Sequence, residues 1–159
     1  MNISIVCVGK IKEKYFRDAV DEYVKRLSKF AKISVFEVDD EETPANASAK
    51  EEEIIKDKEA ERIIKKIPSN SYLITLEIDG RKYDSVSFAK RINSLCVKGN
   101  SSLCFVIGGS LGLSDKIKKM SDEKISFSDM TFPHQLMRVI LSEQIYRAFK
   151  IINNEPYHK

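Results

Sequence analysis

Short apolar runs recur along this chain, and segments with helical spacing separate them. Two of the runs, Ile3–Val8 and Leu103–Ile107, are apolar almost throughout. Such runs are too short for helices and are typical of strands that are buried on both faces of a sheet. Three more strands are predicted at Lys32–Val38, Tyr72–Ile78 and Lys124–Ser128. Because strands that alternate with helices favour a mainly parallel sheet with helices on both faces, we predict an α/β fold.

Apolar residues at helical spacing predict the elements between the strands. The first four helices are expected at Lys14–Phe30, Ser48–Ile67, Ser85–Val97 and Lys116–Met120, and a longer one starts at Pro133 and runs to about residue 152. The last helix is apolar around its whole circumference. We therefore expect it to pack against the sheet on one side and against a second copy of the chain on the other.

The charge of the chain is unevenly distributed. The net charge is +3, but Glu37–Glu53 carries −7, so the rest of the chain carries +10. A basic body suits a partner with a phosphate backbone, with the acidic segment facing away from it, although a solvated surface of mixed charge explains the same numbers. The length of 159 residues is enough for one sizeable core, so we expect a single domain over residues 1–159.

The cysteines and the hydropathy pattern exclude several classes of protein. Cys7, Cys96 and Cys104 lack paired spacing, so reduced thiols in a cytoplasmic protein are expected. No apolar run approaches the ~20 residues of a membrane span. We therefore expect no membrane partner. The acidic residues lack the spacing of metal ligands, so we expect no metal either.

Two loops follow predicted neighbouring strands at their carboxyl ends, where open parallel sheets bind ligands. The first, Gly108–Gly112, allows close approach of the backbone, but a plain strand-to-helix turn needs the same glycines. The second, Phe127–Phe132, offers hydroxyls, a carboxylate and main-chain groups between aromatic rings, which suits adenosine with an uncharged or zwitterionic tail. Leu76 lies near a third strand end, and Asp79 and Gly80 are predicted to form a turn after it.

Polar residues in the last helix and the tail are candidates for chemistry. Helical spacing places Arg138 on one face and the pair Glu143 and Arg147 on the opposite face. That pair is either an ordinary salt bridge or a buried pair that organises a site or a dimer. The chain ends in Tyr157-His158-Lys159, whose side chains can stack on bases, move protons and contact phosphates. A frayed terminus is the alternative.

Several motifs together resemble one known family. They are IGGSxG after the fourth strand, FSxMTFPHQxMR, EQxYRAFKI, the closing PYHK and the N-terminal VxVGKxKEKY. Over its whole length the chain resembles the ribosomal RNA large subunit methyltransferase H family of the SPOUT superfamily. The resemblance implies an α/β fold with a deep trefoil knot near the C-terminus and S-adenosylmethionine bound in that knot. The cofactor residues that it implies are Leu76, Gly108, Phe127, Ser128, Asp129, Met130, Thr131 and Phe132.

The resemblance also implies a reaction and an assembly. The reaction is N3-methylation of a pseudouridine in large-subunit ribosomal RNA, within the assembled ribosome. The assembly is a homodimer in which the tail of one subunit completes the site of the other. Because the N3 proton must be removed, His158 is the candidate base, with Tyr157 as a positioning or stacking group and Glu143 as a group that orients an arginine or receives a proton. The candidates for contact with RNA phosphate or with the developing anion are Arg138, Arg147 and Lys159.

Other functions fit parts of this pattern. A knotted methyltransferase that acts on another RNA, such as transfer RNA, would have the same loops. A non-catalytic ribosome-associated protein could bind a nucleotide-like ligand as a structural element. A flavodoxin-like flavin protein is a third alternative.

Overall fold

All hydrogen-bonded neighbours in the central sheet run parallel in the computed structural model, which describes residues 1–159. The strands are β1 (Asn2–Val8), β2 (Lys32–Val38), β3 (Tyr72–Lys82), β4 (Ser102–Ile107) and β5 (Glu123–Ser126). Their order across the sheet is β2-β1-β4-β3-β5. The predicted α/β fold with a parallel sheet is therefore confirmed.

Helices cover both faces of this sheet. They are α1 (Lys14–Leu27), α2 (Ala49–Ile64), α3 (Ser85–Val97), α4 (Asp115–Met120) and α5 (His134–Ile152). The last helix contacts α1, α3 and β4, whereas α2 and α4 contact each other. No helix is both long enough and apolar enough to cross a lipid bilayer.

The first strand shows why its sequence is apolar almost throughout. The hydrophobic core consists of two clusters, one on each face of the sheet. Ile3, Ile5 and Cys7 pack into the larger one, which includes residues of α1, α3 and α5. Val6 and Val8 alternate with them and pack into a second cluster with residues of α2 and α4. Both faces of the strand are thus buried, so the sequence does not alternate between apolar and polar residues.

The three cysteines are free thiols. Cys7 and Cys104 are buried on opposite faces of the sheet. Burial raises the pKa of each of these two thiols to about 12. A thiolate is therefore costly at both positions, which fits packing as small apolar groups.

The third strand is longer than the sequence analysis predicted. Asp79 and Gly80 do not end it in a turn, because Leu76 and Arg81 both pair with Ile125 and the strand continues to residue 82. The residues between these two pairings form a bulge, Glu77–Gly80, which we call the β3 bulge. A Cβ atom at Gly80 would lie 2.6 Å from the main-chain carbon of Ile125. Close approach of two strands, not a turn, therefore requires this glycine.

The strands that precede the two candidate loops are not neighbours, contrary to the prediction. Strand β3 lies between β4 and β5, so three strand ends meet at this edge of the sheet. The chain then leaves the edge strand β5 and returns over the sheet as α5, which contacts β4. The knotted threading that the family resemblance implies stays a prediction.

Candidate active site

A cavity of about 330 Å³ opens where β3, β4 and β5 end. Its walls are the start of the β3 bulge, the glycine loop after β4, the loop after β5 and the first turn of α5. Of the eight residues predicted to bind the cofactor, seven line it: Leu76, Gly108, Phe127, Ser128, Met130, Thr131 and Phe132. The eighth, Asp129, faces Lys82 instead, with 2.5 Å between its Oδ2 and the lysine Nζ.

The glycine loop folds back on itself. The main-chain N–H of Gly112 donates to the carbonyl oxygen of Gly109 at 3.0 Å, and Gly112 has a φ of +80°. A Cβ atom at Gly108 would lie 2.8 Å from the main-chain carbon of Gly112. The geometry of the turn by itself therefore requires glycine at both ends of this loop.

The loop after β5 leaves main-chain groups available. The N–H groups of Asp129, Thr131 and Phe132 donate no hydrogen bond within the chain, whereas that of Met130 donates to the Ser128 hydroxyl at 2.9 Å. Met130 is 74% exposed and lies at the cavity mouth. Free N–H donors beside apolar side chains can bind a planar heterocycle that is polar along its edge.

The tail folds against the outer side of α5 and brings four predicted residues together. The guanidinium of Arg147 contacts the Glu143 carboxylate at 2.5 Å, and the Tyr157 hydroxyl donates to the same carboxylate oxygen at 3.0 Å. The Arg147 guanidinium also lies 4.6 Å from the centre of the Tyr157 ring. Burial first, and then the bond to Glu143, raises the pKa of Tyr157. This phenol is therefore a hydrogen-bond donor and not a base.

His158 is exposed, and its Nδ1 lies 3.3 Å from Nη1 of Arg147. A guanidinium can only donate, so Nδ1 is the acceptor of this contact in the Nε2–H tautomer of the ring. The lone pair that a general base needs is thus engaged in this arrangement. Lys159 is exposed and forms no ion pair.

The tail cluster and the cavity are separate within one subunit. None of Glu143, Arg147, Tyr157 and His158 lines the cavity, which extends along α5 only to Met137. Glu143 lies six positions after Met137 on the helix, which is roughly 9 Å at the rise of an α-helix. A single chain therefore does not place its own tail over its own cavity.

The structure corrects the prediction that Arg138 contacts RNA. Only 1% of this residue is exposed, and its Nη2 donates to the carbonyl oxygens of Val8 at 2.8 Å and Gly9 at 2.7 Å. Its Nη1 donates to Glu37 at 3.2 Å. The prediction is wrong because both terminal nitrogens of the guanidinium join α5 to the ends of β1 and β2, and its Nε is buried as well, without a hydrogen-bond partner. Its partner Glu37, which the sequence analysis counted in the acidic segment, is half-buried.

Among the cavity-lining residues that the sequence analysis did not assign to the site, two are titratable, His134 and Glu77. Burial, and secondarily Arg138, lowers the pKa of His134, so the imidazole is neutral near pH 7. His134 and Asp40 both lie next to Gly9. A Cβ atom added at Gly9 would be 3.5 Å from Nε2 of the histidine and 3.9 Å from Cγ of the aspartate. The acidic segment thus begins at the same edge of the sheet as the cavity. A charged residue at the end of an otherwise apolar strand was the only sequence signal for Glu77.

Comparison with known proteins identifies the family. The family described as "Predicted SPOUT methyltransferase" matches residues 1–158. The chain belongs to the SPOUT methyltransferase family. Among similar proteins, the ribosomal RNA large subunit methyltransferase H of Clostridioides difficile is 61% identical over 159 residues, 100% of each chain. The proteins of the same name from Clostridium botulinum (strain Eklund 17B) and Clostridium acetobutylicum are 57% and 54% identical, again over 100% of each chain.

Solved structures agree with this SPOUT assignment at the level of the fold. A probable methylase family protein from Haemophilus influenzae Rd KW20 has a TM-score of 0.54 at 14% identity, over 99% of this chain and 70% of that one. The tRNA (m1G37) methyltransferase from Aquifex aeolicus has a TM-score of 0.52 at 15% identity, over 92% of this chain and 70% of that one. At such identities the likeness concerns the fold alone.

Proposed function

We propose that this SPOUT methyltransferase transfers a methyl group from S-adenosylmethionine to N3 of a pseudouridine in large-subunit ribosomal RNA. The observation that carries the proposal is full-length identity of 61% to a relative named ribosomal RNA large subunit methyltransferase H. The cavity at the carboxyl edge of the sheet supports it, because it is placed where parallel sheets bind nucleotides.

The residues around the cavity fit the proposed cofactor. The free N–H groups of Thr131 and Phe132 suit the edge of an adenine, and Leu76, Phe127 and Met137 offer apolar contact for its faces. When bound, S-adenosylmethionine supplies an activated methyl group that needs no metal. A volume of about 330 Å³ is within the range of small-molecule sites.

We further propose a homodimer with a composite site. Because the tail cluster and the cavity are about 9 Å apart along α5, the tail would have to act on the cavity of another subunit. The outer face of α5 supports such a contact, since it carries half-buried apolar side chains at Val139 and Ile140 beside Glu143. A two-fold axis there would repeat the same contact in both directions and create two equal sites.

The chemistry assigned to the chain is positioning and proton transfer. The N3–H of the base must lose its proton before or during attack, and His158 is our candidate acceptor. RNA phosphate would attract Arg147 and free Nδ1 of the imidazole for this role. The hydrogen bond from Tyr157 to Glu143 would keep the tail against α5 while the guanidinium moves. The other candidate cation, Lys159, is exposed and free to contact phosphate.

The assembled ribosome is the proposed substrate, which also places the protein in the cytoplasm. A chain of 159 residues offers little surface for reading sequence, so recognition of a large preformed shape is the economical solution. The target base must also be accessible, which favours a loop over a duplex.

The test uses tritiated S-adenosylmethionine and ribosomes from cells that lack the enzyme, with mapping of the labelled nucleotide. Label at a large-subunit pseudouridine is the expected result. Transfer RNA and protein-free ribosomal RNA are assayed in parallel. Label in transfer RNA only would favour the second methyltransferase hypothesis. Cofactor binding without any transfer would favour a non-catalytic role.

A further inference from the structure

The carboxylate of Glu77 lies beside the cavity and is incompletely satisfied. Glu77 is the first residue of the β3 bulge and lines the cavity, and 4% of its side chain is exposed. Its Oε1 accepts a hydrogen bond from the Thr75 hydroxyl at 2.7 Å. Its Oε2 is buried and has no hydrogen-bond partner. Such an oxygen is uncommon, because buried polar atoms nearly always find a partner.

The neighbouring charges do not satisfy this oxygen. The Nζ atoms of Lys118 and Lys124 lie 3.8 and 3.9 Å from Oε2. These distances exceed the range of a hydrogen bond, although the two ammonium groups offset the charge of the carboxylate. The site therefore holds a charge-compensated acceptor that lacks a donor.

We propose that Glu77 binds the ribose of the cofactor, with Oε2 accepting a hydrogen bond from the 2′- or 3′-hydroxyl. This inference rests on the proposed function, since it presumes an adenosine ligand. Glu77 follows Leu76 at the carboxyl edge of a parallel strand, next to the glycine loop. In other nucleotide-binding sheets a carboxylate near this edge accepts from the ribose hydroxyl.

The surroundings allow the carboxylate to turn towards the ligand. The Thr75 hydroxyl also lies 2.9 Å from Oγ of Ser121, so its proton can move to this second acceptor when Glu77 turns away. Rotation of Glu77 therefore leaves the Thr75 hydroxyl with an acceptor, and the two lysines, whose side chains are 35% and 45% exposed, stay in contact with water. Rotation of the Glu77 side chain is needed for binding, because less than 1 Å² of Oε2 is accessible in the free protein. The bulge supplies the freedom, since its residues stand outside the regular ladder between β3 and β5.

The test is calorimetric binding of S-adenosylhomocysteine and of its 2′-deoxy and 3′-deoxy forms to the full-length protein. The wild type is expected to bind one deoxy form about 10-fold or more weakly than the parent, the loss typical of a hydrogen bond to a charged group. Glu77→Ala should bind the parent more weakly by a similar factor and should no longer distinguish it from that deoxy form. Glu77→Gln, which keeps an acceptor oxygen, should retain part of the discrimination.

The control is Asp79→Asn, which changes an exposed carboxylate in the same bulge and should leave all three affinities unchanged. Equal loss for the parent and both deoxy forms in Glu77→Ala would overturn the proposal and assign Glu77 a structural role between β3 and the two lysines. Wild-type protein that binds all three ligands equally would overturn it without any variant. Wild-type protein that binds none of them would overturn the proposed cofactor as well, so the two failures are distinguishable.

Discussion

Replacement of Arg138 by alanine should destabilise the protein strongly, although the residue was first predicted to contact RNA. The substitution removes the donor to the Val8 and Gly9 carbonyl oxygens and leaves Glu37 without its buried cation. Removal of one partner of a buried ion pair costs about 3–5 kcal/mol. Glu37 retains the Ile11 N–H at 2.7 Å, so we expect the lower end, about 3 kcal/mol.

Equilibrium unfolding in urea and thermal unfolding both measure this loss. For a chain of this size, 3 kcal/mol corresponds to a decrease in Tm of roughly 6–12 °C. Arg138→Ala with Glu37→Gln should recover only a small part of this loss, because Nη1 of Arg17, 3.6 Å from Oε1 of Glu37, still offsets the charge that Arg138 leaves behind. Protein concentration is kept equal in all samples, since a dimer would make Tm depend on it.

Arg147→Ala on the same helix is the matched control. Its side chain is 24% exposed, and it pairs with Glu143 at an i,i+4 spacing typical of a small contribution to stability. A decrease below about 1 kcal/mol for Arg138→Ala would refute the reasoning about the buried pair. Loss of ribosome binding by Arg138→Ala with unchanged stability would restore the RNA-contact hypothesis.

Three further predictions concern the proposed site. His158→Ala should lower turnover at saturating cofactor by about 10²-fold or more without changing S-adenosylhomocysteine affinity, and normal turnover would remove His158 as the base. Gly108→Val should also be inactive, because the added side chain cannot fit against Gly112. Mixing it with His158→Ala should restore activity to about a quarter of wild type, because each mixed dimer keeps one intact composite site. Mixtures that stay inactive although subunit exchange is verified would contradict the composite site. Stability should fall as the pH decreases through about 6.5, the usual pKa of histidine, because burial lowers the pKa of His134 in the folded state and the unfolded chain then binds the extra proton. His134→Gln should flatten this part of the profile, and an unchanged slope would show that other groups titrate there.

The elements of the fold were predictable because their signals are local. Ile3–Val8 reads as a strand buried on both faces, and the structure places it between β2 and β4 with residues in both core clusters. Pro133 predicted the start of the last helix, which begins at the next residue. The loop Phe127–Phe132 was recognisable as part of a ligand site from its mixture of side chains, and five of its six residues line the cavity.

Other features depend on residues that are far apart in the chain. Arg138 is 130 positions from Val8 and 101 from Glu37. Nothing local therefore distinguishes it from the partly exposed Arg147, about two and a half turns later on the same helix. The strand order, which places β3 between β4 and β5, likewise cannot be read from periodicity.

By itself the sequence determined which segments are helices and strands, that the sheet is parallel, and which loops could hold a ligand, because the period and polarity of a segment depend on its own residues. Only the tertiary structure decided that Arg138 is buried, that Gly80 is required by the approach of Ile125, and that Glu77 keeps an unpartnered oxygen beside the cavity. The physical reason is that burial and hydrogen-bond partnership are properties of contacts between distant segments. The same side chain is a solvated charge or a structural anchor according to what the fold brings next to it.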